Sequence, residues 1–321
     1  MHSPFVGGEQ PSKRKILNAG DGAPLYFYAS KHPQARSRPI VFLIPSLINR
    51  HYILDLRPEA SMVNYINEQG FDCLMLEWPF PTAQDADKTT SDYVLLALEA
   101  LQKNWNEINR PMVAIGYCMG GVITLALAQL FSRIQGMVLL ATPWNYEQYP
   151  LSNLTLPQGK IIEDWVEESP LFSAEALQML LYIASPYRLY QRFSRFAQET
   201  REEVIASFVA LEHWANDGVP VTRAVAKECL IDWPRDNILM KGQWDISGEK
   251  IDPTALSIPA LLAIPIQDHI VPSSVSEPLA AILPNTEVIK PLAGHVGMIA
   301  GMQRMKLWEP MGEWLLRHFG A

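Results

Sequence analysis

Cys118, Asp268 and His295 have the residue types and the chain order of a nucleophilic relay. Cys118 lies in "VAIGYCMGG", where Gly116-Tyr117-Cys118-Met119-Gly120 fits the pattern G-x-nucleophile-x-G. In that motif a strand ends, the nucleophile stands on a sharp strained turn, and a helix begins. Glycines two positions either side of the thiol let the adjoining strand and helix approach where a side chain would collide. The helix N-terminus favours the thiolate. The bland alternative is a buried structural cysteine beside a chance glycine turn, and the strand, the helix and the partners argue against it.

A cysteine nucleophile needs a base, and the base needs an orienting acid. "IPIQDHIVP" places Asp268 just past a strand-like run, and "LAGHVGM" places His295 just past the next one. The competing role for Asp268 is a cap for the helix starting near Pro272. The competing role for His295 is that of a glycine-flanked turn residue. His269, next to the acid, is expected to point away from the nucleophile. An acyl-transfer site also needs two oxyanion donors. The sequence offers the backbone N–H of Met119 and one from the loop "IPSLINRHYILDL", either Leu47 or Ile48.

The choice of sulfur points to a reaction class. An oxygen nucleophile converts a thioester into a less activated ester, whereas a cysteine converts it into another thioester. The acyl group then stays activated for an alcohol acceptor, so the thiol favours acyl transfer over hydrolysis.

These side chains need a scaffold. "PIVFLIPS" (39–46), "FDCLMLEW" (71–78), "PMVAIGY" (111–117), "GMVLLATP" (136–143) and "IPALLAIPI" (258–266) read as strands buried on both faces, with "TEVIKPL" (286–292) a weaker sixth. "PLYFYAS" (24–30) reads as an antiparallel leading strand. Helical periodicity fills 89–108, the run after the elbow, and the tail 304–319 despite Pro310. This alternation predicts an α/β fold, a mostly parallel sheet with helices on both faces. Between about Asn145 and Gly248 buried strands give way to helical patterns such as "SAEALQMLLYIA", "REEVIASFVALEHWA" and "PVTRAVAKECLIDW". The expected organisation is a loosely structured lead-in over 1–35, a core over 36–144 and 249–321, and an inserted helical cap over 145–248.

Composition narrows the partners. The 321 residues are 48% hydrophobic and 19% charged with a net charge of −8, which fits a globular chain and disfavours nucleic acid. Three cysteines are too few for a disulfide framework or a zinc site. Cys73 in a strand and Cys229 on a helix are expected to be inert. The start lacks the apolar core of a signal peptide and no run is long enough to span a bilayer, so a cytoplasmic location is expected. No cofactor is expected. Without a phosphate-cradling glycine loop, an acyl-CoA substrate would be held by scattered polar groups.

The chain resembles the polyhydroxyalkanoate synthases, most closely the short two-component kind known as class III, within the α/β-hydrolase superfamily. The resemblance rests on "PSLINRHYILDL" (45–56), "GYCMGG" (116–121), "EHWANDGVPVTRAVAKECLIDWPRDNILMKG" (212–242), "QDHIVPSS" (267–274) and "AGHVGMIAG" (293–301). It implies an α/β-hydrolase fold with Cys118 as nucleophile, Asp268 as acid and His295 as base. It further implies polymerisation of 3-hydroxyacyl groups from CoA thioesters, a homodimer or accessory synthase subunit, and polyester-granule association. Asn145 stands where that family generally carries aspartate, and the N-terminal region is shorter. A thioesterase or polyester depolymerase on the same three residues is the alternative reading, and a non-catalytic binding scaffold a third. Asp217 is expected to begin the helix after it, with Trp214 beside it. The cap aromatics Trp165, Tyr182, Tyr187, Tyr190 and Phe193 suit either a core or a greasy acyl tunnel.

Overall fold

The computed structural model describes residues 14–17, 22–149, 158–184, 193–194 and 196–321. Eight strands form one sheet: β1 (Lys15–Leu17), β2 (Leu25–Tyr28), β3 (Ile40–Ile44), β4 (Cys73–Leu76), β5 (Met112–Tyr117), β6 (Ile134–Leu140), β7 (Ala260–Ala263) and β8 (Thr286–Ile289). Their spatial order is β1-β2-β4-β3-β5-β6-β7-β8. From β4 through β8 every neighbouring pair is parallel, while β1 and β2 add antiparallel at one edge. β3, β4 and β5 are buried along their whole length, as strands covered on both faces must be. Met62–Glu68 packs with Met305–Phe319, and Thr90–Lys103 packs with Met119–Leu130.

Local chemistry explains the helix limits. Thr89 and Asp92 form a reciprocal capping box at the start of Thr90–Lys103. The helical pattern over 89–108 breaks at Asn104, whose side chain donates to the Ala100 carbonyl. The last helix tolerates Pro310 inside its length. The expected strand over 136–143 begins two residues earlier and ends at Leu140. The segment expected as a loose lead-in contributes β1 and β2 to the sheet, with Leu17, Leu25 and Tyr28 buried. Its first thirteen residues lie outside the described ones.

A helical cap is inserted between β6 and β7. Its described helices include Gln158–Glu167, Ala174–Ala184 and Glu202–Asn216. Two-residue strands also occur there, Leu171–Phe172 pairing with Val221–Thr222. "PVTRAVAKECLIDW" was expected to be one helix. It is α-helical over Arg223–Lys227 and becomes a π-helical turn over Glu228–Asp232, with the Trp233 N–H donating to the Glu228 carbonyl. Among the described residues no helix is long and apolar enough to cross a membrane.

The elbow depends on glycine for space. A Cβ on Gly116 would sit 2.3 Å from Thr124 Oγ1, and one on Gly120 would sit 2.1 Å from the Ile44 carbonyl oxygen. The second contact is with backbone of β3 and has no rotamer escape. Gly120→Ala therefore destabilises the chain by roughly 3 kcal/mol or more. Gly297→Ala, where nothing lies within 4 Å of the added carbon, changes stability by less than about 1 kcal/mol. Thermal unfolding of the two variants checks this, and equal melting temperatures would contradict it.

Candidate active site

The sheet gathers the expected residues at its carboxyl edge, where a parallel sheet presents side chains to a cleft. Cys118 directly follows β5, Leu47 and Ile48 follow β3, Asp268 follows β7 and His295 follows β8. Cys118 has φ 55° and ψ −120°, a strained conformation, and Met119 opens the next helix. The turn is pinned by Cys118 N–H donating to the Leu140 carbonyl and Gly121 N–H donating to the Cys118 carbonyl.

Asp268 and His295 meet. His295 Nδ1 lies 2.6 Å from Asp268 Oδ2, and both side chains are almost wholly buried. The other carboxylate oxygen accepts from the Ile270 and Val271 amides at 2.8 and 2.9 Å. Asp268 thus caps its own loop and leaves the following helix, Ser273–Ile282, to begin without a side-chain cap. The Cys118 sulfur is near enough to the His295 ring to act on its charge. Burial disfavours the imidazolium, but Asp268 and the Cys118 sulfur outweigh it and raise the His295 pKa from 6.5 to about 10. The group therefore stabilises the fold fully below about 6.5, and that stability fades as pH rises through about 10. The gap in melting temperature between the native chain and His295→Gln should be widest near pH 6 and shrink toward pH 10, corresponding to a few kcal/mol lost. A gap that grows with pH would contradict the assignment.

Tyr117 supports the base in a way its place as a variable elbow residue did not signal. Its ring stacks at a tilt on His295, centroids 5.1 Å apart, and its hydroxyl lies 3.5 Å from the His295 carbonyl. On the oxyanion side, Ile48 and Met119 line the same cavity as Cys118, whereas the Leu47 side chain lines a neighbouring one with Trp78. The Ile48 amide is 3.4 Å from Ser46 Oγ. Among the described residues the Leu47 amide has no hydrogen-bond partner, which leaves it open to an incoming oxygen.

The cavity reaching Cys118 is mostly apolar and is walled by the cap, including Leu177, Val221, Val225 and Leu230. The turn closed by Asp268 Oδ1 brings His269, Ile270 and Val271 to this cavity, with His269 itself exposed. Cys229 lines the same cavity, its sulfur 3.6 Å from Met119 Sδ, and burial holds its thiol pKa well up. Cys73 is fully buried inside β4, and burial pushes its thiol pKa well up.

The cap is tied to the loop after β3. Asp217 ends the helix Glu202–Asn216 rather than beginning the next one, whose cap is Thr222. Its carboxylate accepts from the Tyr52 hydroxyl at 3.0 Å and lies 3.8 Å from Arg50. Trp214 Nε1–H donates to the Arg50 carbonyl, and Val219 N–H to the Ile48 carbonyl. Asn145 is bonded to Asn237, which also accepts from the Tyr146 amide. Of the cap aromatics, Trp165 packs edge-on against Phe172 and Phe193 against Phe208. The side chains of Tyr182, Tyr187 and Tyr190 lie outside the described residues.

Strand order, elbow and cap define the class of protein, and the signature of the alpha/beta hydrolase fold matches residues 39–301; the chain belongs to that family. Among curated proteins it is similar to the poly(3-hydroxyalkanoate) polymerase subunit PhaC of Haloferax mediterranei, 28% identical over 313 residues that cover 90% of this chain and 61% of the relative. The subunit of the same name from Allochromatium vinosum is 22% identical over 314 residues, covering 95% of this chain and 88% of the relative. The chain spans about three-fifths of the length of the two haloarchaeal relatives it matches. Solved structures with the same fold include an esterase from Exiguobacterium antarcticum, with TM-score 0.56 and 14% identity, covering 93% of this chain and 98% of that one. A thioesterase domain from the curacin biosynthetic pathway gives TM-score 0.57 and 14% identity, covering 96% of this chain and 100% of that one.

Proposed function

We propose that the chain is a cysteine-dependent acyltransferase that polymerises 3-hydroxyacyl groups from CoA thioesters. The observation that carries this reading is an imidazole bonded to a buried carboxylate beside a thiol that lines an apolar, cap-walled cavity. The likeness to the PhaC polymerase subunits supports it.

In this reading the Cys118 thiolate attacks the thioester carbonyl, and the amides of Met119 and Leu47 hold the oxygen as it becomes negative. The carbon–sulfur bond to CoA breaks, and His295 gives its proton to the leaving thiolate. The acyl group now sits on Cys118 and the ring is neutral. The hydroxyl of an incoming 3-hydroxyacyl-CoA loses its proton to His295, and its oxygen attacks the acyl-cysteine. An ester bond forms, Cys118 leaves as thiolate, and the imidazolium is restored. The elongated CoA thioester can then acylate Cys118 again. Asp268 keeps the Nδ1 proton in place throughout, so Nε2 is the nitrogen that shuttles. The apolar walls keep water scarce at the acyl-sulfur bond, which favours the alcohol over hydrolysis.

The same reading places the chain in the cytoplasm at the surface of polyester granules, with a second copy or an accessory subunit beside it. Incubation with 3-hydroxybutyryl-CoA tests the reaction. Release of CoA with insoluble polyester is the expected result; release of CoA with only free 3-hydroxybutyrate would make the chain a thioesterase.

A further inference from the structure

The chain has three cysteines, and two of them line one cavity although 110 positions separate Cys229 from Met119, the nucleophile's neighbour. Cys229 is set there by an unusual backbone. The π-helical turn Glu228–Asp232 interrupts an otherwise α-helical run and reorients the side chains after it. Two contacts hold this turn. Glu228 accepts from the Thr90 amide at 2.7 Å, and Lys227 pairs with Asp232 at 2.7 Å across the five-residue span. The thiol donates toward Met119 Sδ at 3.6 Å, one residue from the nucleophile.

We propose that Cys229 is a resolving thiol for Cys118, so that a hydroperoxide converts the two into an intramolecular disulfide that reversibly removes the nucleophile. First the Cys118 thiolate attacks the peroxide oxygen. A sulfur–oxygen bond forms, the oxygen–oxygen bond breaks, and the leaving alkoxide or hydroxide takes the His295 proton. Cys118 is oxidised to the sulfenic acid and the peroxide is reduced. The Cys229 sulfur then attacks the Cys118 sulfur. The sulfur–sulfur bond forms, the sulfur–oxygen bond breaks, and the hydroxyl departs with the Cys229 proton as water. A dithiol returns both residues to thiols by exchange. The sulfurs must close to about 2 Å, with the cap drawing down on the elbow.

The division of labour follows from the surroundings. Burial first, then Glu228 and Cys118, hold the Cys229 thiol pKa well above its ordinary value, so Cys229 does not itself meet the oxidant as a thiolate. The enclosed cavity limits access of a second peroxide, so the neighbouring thiol competes well against over-oxidation to the sulfinic acid.

The test is a mass measurement, separate from any acyl-transfer assay, so this proposal and the functional reading fail independently. The native chain is treated with a small excess of hydrogen peroxide, alkylated without reductant and digested. The expected result is a linked pair of peptides carrying Cys118 and Cys229, lighter by two hydrogens than the separate peptides and split by dithiothreitol. Cys229→Ser and Cys229→Ala should give no linked pair and should accumulate on Cys118 a sulfinic acid whose added mass dithiothreitol does not remove. Cys73→Ser should keep the link. Equal sulfinic acid on Cys118 in the native and Cys229 variants, with no linked pair, would overturn the proposal. So would a link found only between Cys118 residues of two chains.

Discussion

Cys118→Ala should lower acyl turnover by on the order of 10⁴-fold or more, because no other group at the elbow can hold the acyl chain. Cys229 shares the cavity, but its buried thiol stays protonated, whereas Cys118 acts on the His295 ring. Cys118→Ser is the sharper variant. It keeps the strained turn and the reach of the side chain and changes only the atom. A hydroxyl ionises far less readily than a thiol, so His295 must work much harder to activate it. Turnover should fall to about 1% or less, and what remains should shift toward hydrolysis or a stalled ester. Steady-state release of CoA with product analysis checks both variants. A serine variant that elongates polymer at the native rate would contradict the argument from sulfur.

Asp268→Asn should cost on the order of 10⁴-fold in turnover with the fold intact. The oxygen that accepts from the Ile270 and Val271 amides can be retained, so the loop stays closed. The other arm places an amide NH₂ where His295 Nδ1 now donates at 2.6 Å. Two donors cannot face each other, so the ring adopts the tautomer with its proton on Nε2, where it can no longer accept one. Burial, no longer opposed by Asp268, also pulls the His295 pKa down. The variant should therefore still fold, with an unfolding transition lowered at neutral pH because the stabilisation from the raised His295 pKa is lost, and show nearly no activity. Less than a tenfold loss would show that Asp268 serves only its loop.

Much of the site was legible because its signals are local. The elbow needs glycine on both sides of the nucleophile, because a Cβ on either would meet backbone or helix atoms at under 2.5 Å. Asp268 and His295 each follow a buried strand, so their place at the carboxyl edge follows from strand order. What escaped the sequence reading depends on contacts between distant segments. Lys15–Leu17 is a three-residue edge strand with two exposed side chains, too short to show a period. "ECLID" carries no mark of a π turn, since its residues suit an α-helix equally well. The placement of Cys229 beside Met119, and of Asp217 under Tyr52, is set by how the cap folds back over the sheet. Tyr117 fills a motif position that tolerates any residue, and only the fold shows it against His295.

The central claim is that an acyl group passes through Cys118. A short pulse of 3-hydroxybutyryl-CoA, acid quenching, digestion and mass spectrometry measure it directly. The account predicts acyl mass on the peptide containing Cys118, removed by hydroxylamine and absent in Cys118→Ala. Acyl mass on no peptide across a range of acyl-CoA chain lengths, or on Cys229 alone, would contradict it.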